Sequence, residues 1–119
     1  MYEILFYEDN NNYSDLVEYL TMLSERVEKS KEDRIKLKQI TLYIELLKQY
    51  GRSLHTKIAK HIVDDIWELR PGNIRILFFY WKDNKYVLLN FFKKDTQKTP
   101  KREIKKAQNR MNDFLERNK

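Results

Sequence analysis

Between Asp64 and Lys94 the chain runs through three strand-like stretches separated by two short breaks, and this pattern constrains the fold more than any other feature. The runs are Ile66 to Arg70, Asn73 to Lys82 and Lys85 to Lys94. Pro71-Gly72 suits the centre of a type II turn, proline fixing φ and glycine supplying the positive φ. Asp83-Asn84 suits a two-residue hairpin loop. Two such breaks predict a three-strand antiparallel meander whose side chains can be assigned to faces by parity.

The register that the turns predict aligns Glu68, Arg75 and Phe92 in one row. Arg70, Asn73 and Lys94 form the next, and Ile66, Leu77 and Asn90 the row beyond. The opposite face carries Trp67, Ile76 and Phe91, then Leu69 and Ile74, with Phe78 and Leu89 further along, and is expected to be core. Three cations at one end of a sheet repel one another unless an anion arrives. Arg70, Arg75 and Lys94, with the single acid Glu68 opposite Arg75, therefore point to a phosphate site. Phe92 can serve as its stacking platform, and Asn73, Lys93 and Lys98 lie nearby. The bland alternative is a Glu68–Arg75 ion pair among scattered surface lysines.

The rest of the chain reads as helix. Residues 2–7 suit a short strand, followed by an Asn-rich turn at Asn10 to Asn12. Ser14 can cap a helix over about 15–28, with Leu16, Leu20, Leu23 and Val27 as its stripe. Ser30, with Asp33 three residues on, opens a second helix striped by Leu37, Ile40, Ile44 and Leu47 and stopped by Gly51. Residues 52–63 resemble a connector. Thr99 as N-cap and Pro100 at the first helical position start a last helix, whose seam is Ile104, Ala107, Met111 and Phe114. The expected order is β-α-α-β-β-β-α in one domain spanning residues 1–119, an α+β fold with an antiparallel sheet and the helix pair on one face.

Charge sharpens the functional reading. The net charge is +6. The segment after residue 92 holds ten Lys or Arg and four Asp or Glu, so it carries the whole excess. A polyanion or an acidic protein is expected to dock near that end. With no cysteine, disulfides, thiolate metal sites and a cysteine nucleophile are excluded, and a reducing cytoplasm is the expected setting. No secretory signal or membrane-length apolar run is present, so a membrane is not an expected partner. His55 and His61 lie six apart, which is not metal-ligand spacing, so no metal or cofactor is expected. His55 remains a candidate to touch substrate as an acid or base.

The segment Asp65-Ile66-Trp67-Glu68-Leu69-Arg70, followed by Ile74-Arg75-Ile76-Leu77-Phe78, resembles the W/YELR…RxxF signature of RelE/HigB toxins. Phe91 to Pro100, with Glu103-Ile104 and Ala107 beyond, is similar to the FxKKxxKTPxxEIxxA stretch of phage-related, HigB-like members of the RelE/ParE toxin superfamily. The likeness covers about residues 50–115 and implies a RelE-like fold. It also implies a ribosome-dependent messenger-RNA endonuclease without cofactor, neutralised by a HigA-like helix-turn-helix antitoxin. Operator DNA would be contacted only through the antitoxin complex. It puts Arg70, Arg75 and Lys94 at motif positions on the basic sheet face; with Glu68, read as orienting Arg75, these are the candidate catalytic residues, and Phe92, Asn73, Lys93, Lys98 and His55 are the candidate RNA-binding ones. After Arg110 the chain offers only Phe114 as an aromatic, so it lacks the Tyr or His that some relatives carry for proton transfer. The alternatives are a ParE-like inhibitor of DNA gyrase and a non-catalytic nucleic-acid-binding regulator.

Overall fold

The computed structural model describes residues 1–95 and 97–119; Thr96, within the Phe91–Pro100 motif, lies outside the described residues. The elements are β1 (Glu3–Phe6), α1 (Asp15–Glu25), α2 (Lys31–Tyr50), a 3-10 turn (Gly51–Ser53), β2 (Ala59–Val63), β3 (Ile66–Leu69), β4 (Ile74–Tyr80), β5 (Lys85–Lys93) and α3 (Lys101–Arg117). The class is α+β, with one strand more than expected, because the connector contains β2. The sheet order is β1-β5-β4-β3-β2. It is mixed and not purely antiparallel, since β1 runs parallel to β5, Glu3 beside Lys85.

Local chemistry sets the helix starts. The Ser14 hydroxyl accepts from the Val17 N–H at 3.2 Å, and that of Ser30 from the Asp33 N–H at 3.1 Å. Gly51, at φ +60°, ends α2. The start of α3 differs from expectation. Pro100 is the cap residue, and the Thr99 hydroxyl is directed elsewhere.

Both sheet faces are covered. Leu69, Ile74, Ile76, Phe78, Tyr86 and Leu88 pack under Leu16, Leu23, Ile40 and Leu47 of the helix pair. On the other face Ile66, Leu77, Phe79, Val87 and Leu89 pack against Ala107, Met111 and Phe114 of α3. The face read as polar is thus a second apolar layer along most of its length and polar only where α3 begins.

The register differs in two places. The reversal is centred on Gly72-Asn73 and not on Pro71-Gly72: the Ile74 N–H donates to Pro71 O, and Gly72 takes φ +57°. Glu68 consequently sits opposite Leu77 and not Arg75, while Arg75 keeps its expected partner Phe92. A shift of two residues preserves parity, so each side chain of β3 keeps its face. The second difference is a β-bulge. Asn90 pairs with Leu77 and Leu88 with Phe78, leaving Leu89 as the extra residue. Leu89 therefore lies under α3 and not beside Phe78, because a one-residue insertion inverts every side chain beyond it.

Candidate nucleic-acid interface

Where β3 stops and β4 begins, both strands present arginines to the same end of the sheet. Arg70 follows the last residue of β3, and its N–H donates across to Ile58 O beside β2 at 2.9 Å. Arg75 is the second residue of β4. Glu68, on β3, has only 4 % of its surface exposed and lies between them. Its Oε2 is 3.5 Å from Arg70 Nε and 4.0 Å from Arg75 Nε. Its Oε1 accepts a 2.7 Å hydrogen bond from the Thr99 hydroxyl. The hydroxyl expected to cap α3 instead fastens the segment before α3 to the sheet. Spacing assigned Thr99 to the helix cap; its reach to β3 is a tertiary contact with no local signature.

Arg75 is 7 % exposed, and its Nη1 donates to Gly72 O at 2.8 Å and Ile74 O at 2.9 Å. Burial, and after it the charge of Arg70, push Arg75 below the usual guanidinium value, while Glu68 pulls the other way. Two cations thus share one carboxylate, and Lys94 adds a further positive charge. A narrow pit of about 10 Å³ is lined by Glu68, Arg70, Arg75, Phe92, Lys94 and Thr99. That volume is about one water molecule. An oxyanion would rest across the mouth, facing the guanidinium forks.

The remaining candidates divide. Phe92 is half-buried beside Arg75, and Lys98 lines the same pit. The backbone carbonyl of Asn73 accepts from the Lys94 N–H at 2.7 Å and so sets the end of β5, but Asn73 does not line the pit. Lys93 pairs with Ile74, and strand alternation turns it away from Phe92 and Lys94. His55 lies on the exposed loop before β2, where its Nδ1 accepts from the Lys57 N–H at 3.0 Å. The structure does not bring it into the pit; its neighbour Thr56 touches the site only through a carbonyl that accepts from Arg70 Nη1 at 3.3 Å.

Among the described residues no cluster of His, Asp or Glu is arranged to hold a metal, and no helix is long and apolar enough to cross a membrane. No curated protein matches the chain. The family model described as "Phage derived protein Gp49-like (DUF891)" matches residues 18–112, from α1 through most of α3, and that span contains every residue of the pit. The chain belongs to this phage-derived Gp49-like family, a family of RelE/ParE-type toxins.

Proposed function

We propose that the chain is the toxin of a type II toxin–antitoxin pair and that it cuts messenger RNA on the ribosome. The observation that carries this reading is the convergence of Arg70 and Arg75 on the buried Glu68 carboxylate, with Lys94 and the Phe92 ring at the same mouth. Two fixed guanidinium groups suit a phosphate diester, and an adjacent aromatic ring suits an unpaired base. The toxin family implies an antitoxin partner, which we take to be a HigA-like helix-turn-helix protein.

In the reaction proposed, the ribose 2′-oxygen forms a bond to the adjacent phosphorus as the bond from phosphorus to the 5′-oxygen breaks. The products are a 2′,3′-cyclic phosphate and a 5′-hydroxyl. The proton lost from the 2′-hydroxyl must be accepted and another delivered to the 5′-oxygen. Arg70 and Arg75 stabilise the extra negative charge on the phosphorane, since guanidinium stays protonated. Lys94, which lines the same mouth, serves proton transfer. Glu68 is a positioning residue: one oxygen accepts from the Thr99 hydroxyl and the other faces both guanidinium groups.

The test is to induce the chain in growing bacteria and map messenger-RNA 5′ ends. Cuts registered to codons and dependent on translation support the reading. Intact messages accompanied by supercoiling defects would replace it with gyrase inhibition.

A further inference from the structure

A second concavity adjoins the arginine pit on the side of the free sheet edge. It is an open groove of about 280 Å³, bordered by Lys60 and Ile62 of β2, Arg70, and Lys98, Thr99 and Ile104 at the start of α3. β2 is the outermost strand, so nothing in the sheet continues beyond it. Lys60 pairs with Glu68 and therefore shares its face, putting an exposed ammonium on the same side as the arginines. Glu68 also borders the groove, but its charge is engaged by Arg70, Arg75 and the Thr99 hydroxyl.

We infer that this groove holds the nucleotide next to the one whose phosphate lies across the arginine pit, so that single-stranded RNA passes from Phe92 over Arg70 and leaves across β2. The inference rests on the RNA-cutting reading and adds to it a direction of travel. Three features select a nucleotide. Cationic side chains on both walls, Lys60 and Lys98, match a backbone phosphate. The half-buried Ile62 and Ile104 offer an apolar surface to a base or ribose. Arg70 borders both concavities and can bridge successive phosphates. A groove of this size lies near the small end of ligand sites, which suits one nucleotide and not a duplex.

The experiment measures binding of uncleavable 2′-deoxy oligonucleotides to the intact protein, comparing a dinucleotide with tri- and tetranucleotides. Lengthening the probe should raise affinity on the order of tenfold, the gain that one stacked or phosphate-held nucleotide provides. Lys60→Ala should remove that gain while leaving dinucleotide affinity unchanged. Lys57→Ala, which deletes an equal charge on the exposed loop before β2, should keep it. Equal loss in both variants, or a length gain that survives Lys60→Ala, overturns the groove as a subsite while the arginine pit stands. Failure of every probe to bind, dinucleotide included, overturns the parent reading together with the groove.

Discussion

Arg75 contributes geometry as well as charge. Its Nη1 is held by two backbone carbonyls of the reversal and its Nε faces Glu68, so the fork cannot turn away when no anion is present. Such preorganisation places the cost of ordering in folding and not in the reaction. Arg75→Ala should lower the rate of RNA cleavage by about 100- to 1,000-fold, the loss typical of one donor to a developing oxyanion. Its effect on stability should be about 1–3 kcal/mol, because the Gly72 carbonyl lies on an exposed turn that water can reach while the buried Ile74 carbonyl loses this donor. Arg75→Lys should restore little, since an ammonium keeps the charge without the planar fork. Primer-extension rates and a denaturant melt check both halves; full cleavage by a folded Arg75→Ala protein would remove Arg75 from the mechanism.

At the scale of elements, the reversal between β3 and β4 decides where the arginines sit. Gly72 takes φ +57°, and a Cβ there would lie 2.5 Å from Gln39 Oε1 of α2. Gly72→Ala should cost about 1–2 kcal/mol, part backbone strain and part collision. Adding Gln39→Ala should recover the collision part only, which a double-mutant cycle of melting midpoints would read. The same reversal explains what was legible beforehand. Alternation in β3, β4 and the outer part of β5 assigned Glu68, Arg70, Arg75, Phe92 and Lys94 to one end of one face, because faces depend on parity and survive a shift of two. The shift itself was not legible, since it arises where Arg70 pairs with the backbone of Ile58 and Gln39 packs over the turn. The bulge at Leu89 was likewise hidden: an unbroken apolar run, Val87-Leu88-Leu89, reads the same with or without an extra residue. β2 escaped because an edge strand only partly buried, Ala59-Lys60-His61-Ile62-Val63, lacks the apolar alternation of a central one.

The whole molecule is unified by α3, which carries much of the excess charge and closes the second core. Its far end is fastened to the exit of β1. The Tyr7 hydroxyl donates to Asp113 Oδ2 at 2.7 Å, and Arg117 joins Asp113 and also reaches Glu8 O. The hydrogen bond from Tyr7, and after it that from Arg117, hold the Asp113 carboxyl below its ordinary value of 3.8. A carboxylate depressed in the folded state stabilises fully above its unfolded value and loses that contribution as pH falls through the folded one. Acid below about 3.8 should therefore loosen the end of α3 first, seen as lower amide protection, relative to the intrinsic exchange rate at each pH, over Met111–Arg117, and Asp113→Asn should flatten that pH dependence. Protection equally low at neutral pH would show that this latch does not hold the helix end.

Pairing the first strand with the fifth has a consequence for synthesis. Glu3 to Phe6 find their neighbours only when Lys85 to Leu88 have left the ribosome, and Asp15 meets Arg110 later still, at 3.0 Å. A polypeptide interrupted before β5 lacks Phe92 and Lys94 and leaves β1 without a partner. Under the proposed function such nascent fragments should be inert, because the pit would lack two of the side chains that line it.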